Sequence, residues 1–204
     1  MLTEGEATVQ AAIDYVSELF VDNSGGHDAG HTLRVWQNAM LIAQTEPSCD
    51  ALVVALAALL HDADDYKLFH TEGNANARAF LEQSLVDTDR IEQICEAINT
   101  VSFTQNRGQK PETIEGMIVQ DADRLDALGA IGIARTFAFG GEHGRSLEDS
   151  VQHFFDKLLL LKDEMNTQSG RELAESRHDF LCQFLQHLKE EMFEENSSAQ
   201  PLVQ

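Results

Sequence analysis

The residues most able to do chemistry lie at Leu59-Leu60-His61-Asp62-Ala63-Asp64-Asp65, where an apolar run ends in a histidine and three carboxylates. The run before them, Ala51 to Leu60, is almost featureless apolar helix and reads as the central helix of an α-helical core. Ionisable groups carried inward by such a helix must be paired or hold a metal ion, because an isolated buried carboxylate is very costly. Adjacent His61 and Asp62 can converge on one ion. Asp65, four residues after the histidine and three after the aspartate, is expected on the same face.

Two further segments offer metal-capable groups on an apolar background: His31, and one aspartate from the cluster Asp121, Asp123 and Asp126. Two imidazoles with two carboxylates make a mixed nitrogen and oxygen shell. Such a shell leaves open positions on a five- or six-coordinate ion and suits manganese, iron, cobalt or magnesium. A closed structural zinc site would more often use thiolates. Open positions hold water, which a divalent ion turns into a nucleophile near neutral pH. Spacing alone does not choose among the three aspartates.

The order His31, then His61-Asp62, then Ala122-Asp123-Arg124-Leu125 resembles the H...HD...D signature of the HD-domain metal-dependent phosphohydrolases. Longer stretches resemble its YedJ/YpgQ-like bacterial branch: His27-Asp28-x-x-His31-x-x-Arg34-Val35, Leu60 to Asp65, and Val119 to Ala127. Gly129 to Arg135, Asn166-Thr167 and Arg177-His178 are similar too, so the likeness covers most of the chain up to about Phe193. The resemblance implies an all-α fold, a single HD-domain helical bundle with extra C-terminal helices. It implies His31, His61, Asp62 and Asp123 as metal ligands, with Asp126 orienting a ligand or water from behind. Related enzymes carry a glutamate three residues after the HD aspartate where this chain has the shorter Asp65, which is expected to orient water or move a proton. The implied reaction is hydrolysis of nucleotides, foremost a nucleoside triphosphate to its monophosphate and pyrophosphate. The implied cofactor is a divalent ion, manganese first, with magnesium, iron, cobalt or nickel as alternatives.

Cations that could offset phosphate charge are few. Arg34, one turn after His31, and Lys67, just past the carboxylates, are the candidates for substrate oxygens, while Arg124 reads equally well as an ion-pair partner. His27, four residues before His31, could support the site from the second layer or touch phosphate. His70, His143, His153, His178 and His187 read as ordinary core or surface histidines. Competing readings are hydrolysis of nucleoside monophosphates or other phosphoesters, alarmone hydrolysis, and a non-catalytic metal-stabilised domain binding a nucleotide or a protein. A cyclic-dinucleotide phosphodiesterase is disfavoured, since no Gly-Tyr-Pro follows the His-Asp pair.

The elements that must position these groups follow from period and caps. Expected helices cover residues 7–21, His31 to Thr45 behind an Asp28 cap, and Ala51 to Leu60 behind Asp50. After a loop or short turn over Tyr66 to Gly73 come helices at Ala75 to Leu85 and Thr88 to Thr100, the second capped by Asp87. Ser102 to Pro111 reads as a polar connection. Ile114 to Phe139 carries one helical pattern, Gly140 to Arg145 a glycine-rich rim, and Leu147 to Met165 and Gly170 to Phe193 two long closing helices. The domain is expected over residues 1–193, with a disordered tail over 194–204.

With 14 Lys and Arg against 35 Asp and Glu, the net charge of -21 opposes affinity for nucleic acid or anionic membranes. The expected partner is a small phosphorylated substrate. Oligomeric state is left open. Cys49, Cys95 and Cys182 form no Cys-x-x-Cys pair, the longest apolar run is too short to span a bilayer, and the acidic start lacks the pattern of a secretory signal. The expectation is a cytoplasmic protein.

Overall fold

The computed structural model describes residues 2–21, 28–102, 106 and 108–197, with the backbone alone at Lys67 and over 193–197. Its helices are α1 (Glu4–Leu19), α2 (Ala29–Ala43), α3 (Ala51–Leu60), α4 (Tyr66–Phe69), α5 (Ala75–Gln83), α6 (Thr88–Asn99), α7 (Ile114–Asp126), α8 (Gly129–Glu142), α9 (Leu147–Asp156) and α10 (Gln168–Ser197). A 3₁₀ segment, Leu158–Glu164, joins α9 to α10. The architecture is all-α, and no strand occurs among the described residues.

Helix α3 lies at the centre because it has no polar face to give to water. Every residue from Val53 to Leu60 is buried, and the helix is walled by α1, α2, α6 and α7. Its start is fixed by Asp50, whose Oδ1 accepts from the Leu52 and Val53 N–H groups and whose Oδ2 holds Arg90 of α6. The surrounding helices begin on side-chain caps in the same way: Thr3 with Glu6 in a capping box for α1, Asp28 for α2, Asp87 for α6 and Thr113 for α7. Helix α2 packs along both α3 and α7, which brings the three elements that carry the chemistry side by side.

The apolar pattern running from Ile114 to Phe139 is cut into α7 and α8 at Gly129, where the backbone turns through φ +67°. Packing there is tight: a Cβ added at Gly129 would stand 3.3 Å from Arg177 Cβ, and one added at Gly132 would stand 2.1 Å from the Ala127 carbonyl oxygen. Period alone cannot reveal such a reversal, because both halves keep their buried stripe. The pattern from Leu147 to Met165 is likewise broken, at Lys157 (φ -138°, ψ -61°). Gly140 and Gly141, expected in a loop, continue α8 to Glu142, and Gly140 is buried against Ser150 of α9. The segment after Asp65 holds the short α4 and then left-handed backbone at His70, Gly73 and Asn74. Helix α10 runs to Ser197, and the rest of the tail, 198–204, lies outside the described residues.

Asp121, fully buried on α7, accepts from the Asn166 N–H and Nδ2 and from the Thr167 N–H and Oγ1, all at 2.8 to 2.9 Å. Both of its oxygens are therefore spent on anchoring the start of α10. Burial raises its pKa, and the four hydrogen bonds oppose that rise. Arg124 is also buried and is tied to the Glu164 carbonyl and carboxylate.

Because backbone rather than a flexible side chain faces Gly132, Gly132→Ala is expected to destabilise the chain by about 2 kcal/mol or more. Urea unfolding with the slope held fixed measures this. A midpoint equal to that of the parent would show that the α7–α8 turn can relax.

Candidate metal centre

The last turn of α3 delivers His61 as its C-cap residue, followed at once by Asp62. His61 Nδ1–H donates to the Ala58 carbonyl at 2.8 Å, so Nε2 turns inward. Across from it, His31 in the first turn of α2 donates Nδ1–H to Asp126 Oδ2 at 2.7 Å and also presents Nε2. The two Nε2 atoms stand 3.3 Å apart. Asp62 Oδ2 lies 3.4 Å from one and 3.3 Å from the other, and Asp123 Oδ1 lies 3.4 and 3.9 Å from the same pair. His31, His61 and Asp123 offer ligand atoms that all fall within 4.8 Å of one another.

These separations suit a shared ion. Donors at about 2.1 Å from a metal are about 3.0 Å apart at right angles and about 3.4 Å apart at tetrahedral angles. The donor set suits it as well, since inward-facing imidazole lone pairs and carboxylate oxygens repel one another unless a cation or a proton lies between them. The residues therefore fit a divalent ion held by His31, His61, Asp62 and Asp123. A proton substitutes when metal is absent. Burial by itself would lower the His61 pKa, but Asp62, with Asp123 and the Ala58 carbonyl, outweighs it and raises it to about 9. Burial pushes the Asp123 carboxyl the other way, yet His31 and His61 hold it below the ordinary range.

Behind His31 stands a second layer. Asp126, the last residue of α7 and 2% exposed, accepts Arg34 Nε at 2.6 Å and Nη2 at 3.0 Å in a bidentate pair, and also accepts Arg135 Nη1. His31 and the two guanidiniums outweigh desolvation and keep this carboxyl well below the usual carboxylate range. An ionised Asp126 fixes the His31 tautomer with Nδ1 protonated, leaving Nε2 free to bind metal.

The structure thus gathers His31, His61, Asp62, Asp123 and Asp126 at one place, and commits Asp121 and Arg124 to the fold. Arg34 sits beside the site with its guanidinium on Asp126 and 33% of its side chain exposed. Asp65 is half-buried in the turn after α3, and its carbonyl accepts the Leu68 and Phe69 N–H groups, so it opens α4. Because α3 ends at Leu60, Asp65 follows His61 through a turn and not along a regular helix. Lys67 is on α4 with only its backbone described, and His27 lies outside the described residues. Arg135 was given no role by sequence reasoning. In a continuous helix it would stand about 13.5 Å from Asp126, nine residues earlier, and only the reversal at Gly129 brings them into contact.

Comparison with known proteins agrees with this geometry. The family model described as HD domain matches residues 28–128, which begin just before His31 and end just after Asp126. The protein YpgQ of Bacillus subtilis (strain 168) is 41% identical over 187 residues, covering 87% of this chain and 90% of that protein. Its crystal structure in complex with ADP aligns with TM-score 0.77 and 33% identity over 93% of this chain and 97% of that one. An HD-superfamily hydrolase from Bacillus thuringiensis aligns with TM-score 0.76 and 36% identity over 96% of this chain and 100% of that one.

Two outcomes follow for metal binding. Elemental analysis of His31→Ala, His61→Ala, Asp62→Ala and Asp123→Ala is expected to show each losing most of its metal, while Asp121→Ala keeps it; retention by Asp123→Ala would remove that ligand. Since the metal must expel the proton that His61 holds up to about pH 9, apparent affinity should rise about tenfold per pH unit from neutrality to about pH 9 and then level off. Competition with a chelator across pH 6 to 10 reads this slope, and a flat profile would refute it.

Proposed function

Because the chain belongs to the HD-domain family and is a metal-dependent phosphohydrolase of that superfamily, we propose that its substrates are nucleotides, with a nucleoside triphosphate cleaved to monophosphate and pyrophosphate. The observation that carries the hydrolase reading is the convergence of two orientation-locked imidazoles with two carboxylates. The nucleotide reading is supported by the similar Bacillus subtilis protein, whose structure is in complex with ADP. Manganese is our choice of ion, because two nitrogens and two carboxylate oxygens suit a borderline-hard divalent metal. When bound, that ion supplies a Lewis acid for a phosphoryl oxygen and lowers the pKa of water.

The protein's own groups then have separable tasks. Asp126 and the Ala58 carbonyl keep both imidazoles aimed inward. Asp65, beside the His-Asp pair, orients the attacking water or takes its proton. Arg34 and Lys67 hold phosphate oxygens, and the partial exposure of the Arg34 side chain is consistent with that task. His27 supports the site from the segment before α2. Cys49, Cys95 and Cys182 are free thiols, which supports our placement of the enzyme in the cytoplasm, and its partner in this reading is a small phosphorylated substrate. No described helix is long and apolar enough to cross a membrane.

A panel of nucleotides incubated with manganese, magnesium, cobalt or nickel, with products identified, tests the substrate. Hydrolysis in ¹⁸O-labelled water is expected to place the label in the monophosphate; release of orthophosphate with a diphosphate would refute attack at the α-phosphorus. Asp65→Asn is expected to keep its metal and lose roughly two to four orders of magnitude in turnover. Near-normal turnover would remove Asp65 from the chemistry.

A further inference from the structure

Asp123 and Asp126 stand in the last turn of α7, and the peptide groups that lead into them are both held from outside that helix. The Ala122 carbonyl, in the peptide before Asp123, accepts from Asn38 Nδ2 of α2 at 3.3 Å. The Leu125 carbonyl, in the peptide before Asp126, accepts from Arg177 Nη1 of α10 at 2.6 Å. These holds form one chain, because Arg177 Nη2 also donates to Asn38 Oδ1 at 2.9 Å. Asn38 is 6% exposed and uses both ends of its amide, the donor toward α7 and the acceptor toward α10.

The placement of Arg177 is unlike that of a surface ion pair. Its side chain is partly buried and both acceptors are neutral, so desolvation is not offset by a hydrogen-bonded carboxylate. What favours a cation there is the end of α7, whose last carbonyls lack helical partners and carry partial negative charge. Helix α10 comes close at the α7–α8 reversal, where a Cβ added at Gly129 would stand 3.3 Å from both Cβ and Cγ of Arg177. A second tether to α10 lies two residues before Asp123, where Asp121 is bound to Asn166 and Thr167. The metal ligand Asp123 is thus flanked by two attachments to a segment that lies beyond the matched residues 28–128.

We propose that Arg177 is a positioning residue for the metal centre: with Asn38 it fixes the two peptide units that carry Asp123 and Asp126. Through them it sets the aim of the Asp123 carboxylate and the brace of Asp126 on His31. A planar guanidinium spans the Leu125 carbonyl and the Asn38 amide at once, whereas a lysine ammonium is a point donor on a flexible stem. The proposal rests on the metal centre and is independent of which phosphorylated substrate is cleaved.

Calorimetric titration of the full chain with manganese tests this, at a temperature where circular dichroism shows each variant folded. Arg177→Met and Asn38→Ala are each expected to weaken manganese binding about tenfold or more. Arg177→Lys keeps the charge and one of the two hydrogen bonds, and is expected to return affinity to within about threefold of the parent. The double variant Arg177→Met, Asn38→Ala is expected to bind within about twofold of the weaker single variant, since one chain is broken in either case. Arg78→Met removes a guanidinium that ties the Gly73 carbonyl to Glu92, away from this chain of contacts, and is expected to keep parental affinity. Parental manganese affinity in a folded Arg177→Met with a lowered melting midpoint would overturn the proposal and leave Arg177 a tie of the fold alone. Losses that multiply in the double variant would overturn the shared chain. If Arg177→Met does not fold, parental affinity in both Arg177→Lys and Asn38→Ala is the overturning result. The titration reads metal and not turnover, so an error in the proposed substrate leaves it intact, whereas a parent chain that takes up no divalent ion would overturn the metal centre and this role together.

Discussion

The contact between His31 Nδ1 and the buried carboxylate of Asp126 is the constraint on which the rest of the site depends. An imidazole can offer a lone pair at Nε2 only while its proton stays at Nδ1, and an ionised acceptor 2.7 Å away holds it there. That acceptor can remain ionised inside the protein only because two arginines share its charge. The metal centre is thus built outward from a buried ion-pair cluster, and helices α2, α7 and α8 are each bound into it by a charged side chain. His61 meets the same requirement more cheaply, with a carbonyl from its own helix.

This arrangement explains how an acidic protein can act on an anionic substrate. A net charge of -21 repels phosphates at long range, but screening confines that field to about a Debye length. A divalent ion held there would balance Asp62 and Asp123, as Arg34 and Arg135 balance Asp126.

The central helix supplies the mechanical counterpart. With Val53 to Leu60 buried on every side, α3 has little freedom to shift, and it ends where His61 and Asp62 begin. Side chains at the end of a packed helix inherit its rigidity, and the turn beyond it is pinned as well, since Asp64 accepts from the Asn76 and Ala77 N–H groups and the Ala63 carbonyl accepts from Asn76 Nδ2.

Local signals in the sequence determined most of the helices and the candidate ligands. Amphipathic period and capping residues act over a few positions, so Asp28, Asp50 and Asp87 mark true helix starts, and a histidine and carboxylates ending the apolar run from Ala51 to Leu60 mark a place where polar groups enter the core. Spacing left open which of three neighbouring aspartates does what; the motif resemblance pointed to Asp123 and put Asp126 behind it, and tertiary structure supplied each one's partners and the anchoring task of Asp121. Asp121, Asp123 and Asp126 share one short helix, yet the first anchors Asn166 and Thr167, the second faces the two Nε2 atoms and the third braces His31. Those partners lie up to 95 residues away, beyond the reach of any local pattern. The role of Arg135 was equally hidden, because a helical reading places it far from Asp126 and only glycine's access to positive φ at residue 129 folds the chain back to join them.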